Sequence, residues 1–208
     1  MSAIIIVDEE KELSQFEPFQ KISRLNRIAI VTEKIDGTNA LIEIGINPDT
    51  SNYIFKVGSR NKYITPLNDN MGFAQWAYEH RDELITGLGI GKHHGEWWGQ
   101  GIQRRYGLTE KRFSLFNTFR WIPKDKLIID PTKQGHPPDC CYVVPILYEG
   151  IFNTEVINNL VQELKNNGSV AVPGFKRPEG VVVYHTGFLG YFKVTCEDDE
   201  SPKSLVKK

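Results

Sequence analysis

From Asn26 onward the chain is dominated by short apolar runs and by alternation of period two. Ile28 to Thr32 is apolar and β-branched, while Ala40, Ile42, Ile44 and Ile46 alternate with more mixed positions. Both patterns read as strands with a buried face. Asp36-Gly37 between them is a turn dipeptide, so residues 28–46 read as a hairpin with Lys34 near its bend. Further strands are predicted at 53–58, 92–98, 111–121, 141–148, 180–185 and 190–195. Helical spacing occurs twice. Asn70 is a candidate cap for a helix with Phe73, Trp76, Ala77, His80 and Leu84 on one face. Asn153 or Thr154 caps a second, with Ile157, Leu160, Val161 and Leu164 inward and Gly168 as the stop. Residues 123–139 carry four prolines and read as a loop; the polar stretch after Cys196 reads as a surface tail. Strands outnumber helices without β–α alternation. The fold class predicted is α+β with mainly antiparallel sheets and a few flanking helices. One domain should span 1–197, followed by a tail at 198–208.

Composition narrows this little. At 208 residues, 40% hydrophobic and 25% charged, the chain is ordinary for a globular protein. A net charge of −1 gives no global field for a polyanion, so any nucleic-acid site must be a local cluster of Lys and Arg. Three cysteines, two of them adjacent (Cys140, Cys141), make neither a disulfide framework nor a metal pair of CxxC spacing. Ile4 to Val7 is too short for a secretory core, and no stretch reaches transmembrane length. The expectation is a soluble, cytoplasmic protein (host-cell cytoplasm if viral) without a membrane partner.

Chemistry first shows in Glu33-Lys-Ile-Asp-Gly-Thr-Asn39. By itself a Lys-x-Asp-Gly tetrad fits a solvated hairpin turn. The longer string resembles the first motif of the covalent nucleotidyltransferases, which include ATP-dependent DNA and RNA ligases and mRNA capping enzymes. Thr38-Asn39 brings it nearest to RNA ligases of the T-even phage type-2 and RNA-editing class. Four later segments resemble the family's other motifs in order. They are Gly95-Glu96 continued as GEWWGQGIQRRYG, Phe113-Ser-Leu-Phe-Asn117, Glu179-Gly-Val-Val182 and Phe192-Lys-Val-Thr195. The resemblance runs from about residue 16 to 197.

That resemblance implies a nucleotidyltransferase (adenylation) fold and a reaction with ATP and Mg²⁺ or Mn²⁺. Lys34 would carry AMP as a lysyl adduct and pass it to a 5′-phosphate, after which a 3′-hydroxyl displaces AMP and joins two RNA ends. Lys193 would contact the α-phosphate, and Glu179 would hold the metal or its waters. Glu96 would bond the ribose hydroxyls, and Phe116, with Phe113 as runner-up, would stack on adenine. Arg60 would contact phosphate, and Glu33, Asp36, Gly37 and Asn39 would belong to the nucleotide-binding set, with Asn39 serving the sealing step or orienting the nucleophile's loop. Arg104 and Arg105, with Lys111 and Arg112 in the densest basic cluster, are candidates for an RNA backbone track. His93-His94 and Trp97-Trp98 should be split between the two faces of a strand, which argues against a shared metal.

The sequence departs from the family pattern at Thr195, where a second lysine is usual, and at Asn117, where aspartate is usual. Lys176 or Arg177 could supply a missing charge. Only a dozen residues follow the last motif, so the expectation is a domain without the usual appendage, with a helper protein or its own basic cluster gripping RNA. The alternatives weighed are a DNA ligase, a GTP-using capping-type guanylyltransferase, and a catalytically weak nucleic-acid-binding module of the same fold.

Overall fold

The protein is described here by a computed structural model covering residues 25–124 and 135–197. Its strands form two sheets. The smaller has β1 (Ile28–Lys34) between β8 (Ile146–Ile151) and β9 (Gly180–His185), with β10 (Gly190–Thr195) beyond β9. All of its pairings are antiparallel. The larger runs in the order β4 (Tyr63–Ile64), β3 (Tyr53–Gly58), β2 (Thr38–Ile46), β5 (Gly91–Gly99), β6 (Lys111–Leu115), β7 (Cys141–Val143). Only β6 and β7 pair in parallel among the described strands. The α+β class with mainly antiparallel sheets therefore holds.

Each sheet buries one face under helix. Ala29, Val31, Val181 and Val183 pack on Ile157, Val161 and Leu164 of α3 (Thr154–Asn167). Asn153 caps α3 by accepting from the amides of Glu155 and Val156, and Gly168 ends it, both as the sequence indicates. Ile42, Ile44, Trp97, Phe113 and Leu115 of the larger sheet lie under Phe73 and Ala77 of α1 (Phe73–Glu79) and Leu84 and Leu88 of α2 (Arg81–Leu88). The single helix expected here is thus two, broken at His80. Nor does Asn70 cap it: Gly72 is the cap residue, and the Asp69 carboxylate receives the amides of Ala74 and Gln75. Asn70 instead donates its side-chain amide to the Thr38 hydroxyl.

Three strand assignments are corrected. β1 and β2 are not a hairpin; they belong to different sheets, and residues 35–37 carry the chain across. Ile35 is buried there with Trp98, Tyr106 and Val144. Gly37 serves close approach rather than a turn, since a Cβ would run into the Trp97 carbonyl oxygen and lie 2.7 Å from Trp98 Cβ. The stretch 141–148 likewise divides at Val144-Pro145 into β7 and β8, one in each sheet. The strand expected over 111–121 stops at Leu115, where Asn117 opens a turn by accepting the Arg120 amide. Residues 125–134 of the proline-rich loop and the tail at 198–208 lie outside the described residues. Among the described residues, no helix is long and apolar enough to cross a membrane.

Candidate active site

Strand register decides which side chains can meet. Lys34 ends β1 opposite Gly180, and Gly180 lies opposite Thr195. Two residues along, Thr32, Val182 and Lys193 form the next row. Because alternate residues share a face, Lys34, Lys193 and Thr195 project from the same side of the smaller sheet, the side away from α3. Gly180 lets β10 approach closely, since a Cβ there would run into the Val194 carbonyl oxygen. Glu179 directly precedes β9, and its carboxylate meets the Lys34 ammonium, Oε2 to Nζ 2.6 Å. Both groups of this pair are only partly exposed, so their attraction is screened less than that of a surface pair.

The larger sheet contributes Glu96. It sits opposite Asn39 on one side and Ser114 on the other. Its carboxylate accepts the Gly37 amide at 3.1 Å and the Asn39 side-chain amide at 3.2 Å. The Asn39 carbonyl oxygen accepts in turn from Arg60 Nε at 3.5 Å. Burial pushes the Glu96 carboxyl up to about 7, against the pull of Lys34 and these two hydrogen bonds, while Glu179 adds to the rise. Lys34 and Glu179, both from the smaller sheet, act electrostatically on the Glu96 carboxyl of the larger one, so the three groups lie near one another where the two sheets meet. Phe116 follows β6 on the Glu96 face, its amide donating to the His94 carbonyl and its ring partly exposed. Phe113 points the other way. It is fully buried against Phe73, Trp76 and Trp97, so the core claims the ring proposed as the alternative stacking partner.

With this geometry in view, a model of the RNA ligase family matches residues 27–195. The chain belongs to the RNA ligase family. No curated protein sequence matches it. Among solved structures, it is similar to point mutants of Naegleria gruberi RNA ligase. An apo form is 21% identical over 86% of this chain, with a TM-score of 0.56. A form with ATP and Mn is 20% identical over 85% of this chain, with a TM-score of 0.55. A form with AMP and Mn is 20% identical over 82%, also at 0.55. Likeness at that identity shows the shared fold. This chain spans about half the length of those proteins, 50–52%.

Other members of the family-like motifs turn out to be supports. Glu33, next to Lys34, faces the opposite way and is buried. Its carboxylate accepts the Ser169 hydroxyl at 2.6 Å and the amides of Val170 and Ala171 at 2.8 Å each. Burial raises its pKa against these bonds. Asp36 is tied to Arg104, Nε to Oδ2 3.0 Å, while its amide donates to the Tyr106 hydroxyl at 2.9 Å. Arg104 is thus held by partners within the fold, while Arg105 beside it is exposed. Lys176 donates to the Asn167 carbonyl at the end of α3. Arg177 contributes its backbone carbonyl to Arg104.

His93 and His94 divide into one buried and one exposed residue. Trp97 and Trp98 split between faces, yet both are buried because each face is covered. The roles of Arg104 and Tyr106 as internal ties were not read from the sequence. A signal existed in the glycine-dense GQGIQRRYG run, whose tightness implies side chains turned back on the protein.

Proposed function

We propose that this chain is an ATP-dependent RNA ligase that joins 3′-hydroxyl and 5′-phosphate RNA ends through a lysyl-AMP intermediate on Lys34. The observation that carries this reading is the placement of the Lys34 amine at 2.6 Å from Glu179, in the same cleft as Glu96. Family membership, and solved relatives holding ATP or AMP with Mn, support it.

An ordinary lysine costs about 4–5 kcal/mol to deprotonate at pH 7, and attack on the α-phosphorus requires the neutral amine. Glu179 lies at hydrogen-bond distance from the amine and fixes its position. Attack forms the N–P bond and releases pyrophosphate. Glu96 is held by Gly37 and Asn39 with its carboxylate turned into the cleft, where ribose hydroxyls could donate to it. Phe116 presents a ring on the same face, and Arg60 stands beside Asn39 to meet phosphate. Lys193 supplies the cation one row along from Lys34. Position 195 flanks Lys34 across Gly180, so threonine there removes a charge next to the nucleophile and leaves Lys193 to neutralise the phosphate.

Among the described residues no cluster of three or more His, Cys, Asp or Glu could cage a metal. Mg²⁺ or Mn²⁺ in this chemistry is held by one or two carboxylates together with substrate phosphates. Glu179 is the residue to hold it. When bound, the ion supplies charge neutralisation for the triphosphate.

Incubation with nucleotide labelled at the α-phosphate, followed by a denaturing gel, tests the reading. Label from ATP should remain on the protein and then pass to a 5′-phosphorylated RNA. Label from GTP would favour a capping-type enzyme, and transfer only to nicked DNA a DNA ligase. RNA binding without any adduct would favour a binding module.

A further inference from the structure

Arg104 lies in a loop that the proposed chemistry leaves unused, yet it contacts three separate segments around the cleft. Its Nε reaches Asp36 Oδ2 at 3.0 Å, two residues beyond Lys34. One terminal nitrogen donates to the carbonyls of Arg177 at 3.1 Å and Pro178 at 3.5 Å, the two residues immediately before Glu179. The other stands 3.8 Å from the Glu197 carboxylate, just past β10. A guanidinium offers five donors in a fixed fork, so one side chain can hold all three segments at defined angles.

The backbone around it is held in an unusual form. Gln103, Arg105 and Tyr106 have φ of 44°, 60° and 51°, the left-handed region that non-glycine residues rarely adopt. Such conformations persist only where the surroundings over-determine them. Tyr106 does so here: its hydroxyl receives the Asp36 amide, and its ring lies tilted against Phe175 at 4.5 Å and edge-on to Trp98 at 4.9 Å.

We infer that Arg104 is a positioning residue that fixes the Lys34–Glu179 pair by tying Asp36 to the chain entering Glu179. Lys34 ends β1, and Glu179, 145 positions away in sequence, directly precedes the neighbouring β9. Register sets their row, but Glu179 precedes β9 and needs another restraint on the segment leading to it. Arg104 provides it from the Asp36 side. Misplacement by about 1 Å can cost a reaction of this kind about a hundredfold.

This inference rests on the ligase reading for its kinetic part and on hydrogen exchange for its structural part. The variants are Arg104→Ala, Arg104→Lys and, as a control on α2 outside the cleft, Arg81→Ala. The expected result for Arg104→Ala is adenylylation slowed about ten- to a hundredfold at saturating ATP with KM for ATP within about twofold. Exchange at the Asp36 amide should be faster, Arg104→Lys should recover part of the rate, and Arg81→Ala should match the parent. Added guanidinium ion should partly restore Arg104→Ala. Unchanged exchange at Asp36 and around Glu179 would overturn the inference whatever the activity. So would a loss confined to RNA affinity with adenylylation intact. A parent protein that forms no adduct would refute the ligase reading, and the exchange data would still decide the tie.

Discussion

Glu96 offers a magnitude that can be worked from the structure. Its carboxyl is buried and pushed from the ordinary 4.5 up to about 7, mainly by loss of solvent. A raised acid pKa means the folded protein prefers the protonated form. Stability from this group is therefore complete below about pH 4.5 and is lost as pH rises through about 7. The full span of 2.5 units, 7 minus 4.5, corresponds to about 3 kcal/mol at 1.36 kcal/mol per unit. About 2.5 kcal/mol of that falls between pH 5 and 8. Glu96→Gln, which keeps the shape and removes the charge, should lack this slope. Urea unfolding of the parent and Glu96→Gln across that range isolates the effect as a difference of two pH profiles, cancelling the other titrating groups. The variant should gain on the parent as pH rises. Parallel profiles would refute the claim that burial dominates at this carboxyl. ATP binding adds a corollary. Donation from ribose hydroxyls favours the carboxylate, so binding near pH 6.5 should release protons, visible as a dependence of the calorimetric heat on the buffer's ionisation enthalpy.

Gly180→Ala should destabilise by about 2–3 kcal/mol, because the new Cβ would strike the Val194 carbonyl oxygen and lie 2.8 Å from Thr195 Cα. Thermal melting reports this, and a variant as stable as the parent would show that β10 can shift freely. Glu33→Ala should cost about 3–5 kcal/mol by stranding the Ser169 hydroxyl and two amides, with Glu33→Gln much milder. A full loss in Glu33→Gln would point instead to a need for charge at that position. Asn153→Ala should cost about 1 kcal/mol through the lost cap of α3, read by chemical denaturation.

Much of the fold was legible because it depends on local pattern. Period-two alternation marked β2, and the Asn153 and Gly168 signals bracketed α3. What sequence could not give was partnership between strands. Asp36-Gly37 looks like a hairpin turn, but the choice between turning back and crossing to another sheet depends on Trp98, Tyr106 and Val144 packing around Ile35. The same holds at Val144-Pro145. For the site, the motif residues Lys34, Glu96 and Glu179 do come together across long sequence separations. Motif strings do not say which way a side chain points. Glu33 and Phe113 turn into the core because strand alternation puts them opposite Lys34 and Glu96, a consequence visible only once the register is known. Arg104 looked like a surface cation because clustered Arg and Lys usually are, and its partners at Asp36 and residues 177–178 lie far away in sequence.

The central claim is that the Lys34 amine is the atom that takes the nucleotide. Intact-mass measurement of the purified chain after incubation with ATP and Mg²⁺ or Mn²⁺, followed by peptide mapping, tests it most directly. The account predicts one added adenylate, located on Lys34 and absent from Lys34→Ala. An adenylate on any other residue, or a parent chain that gains none, would contradict it.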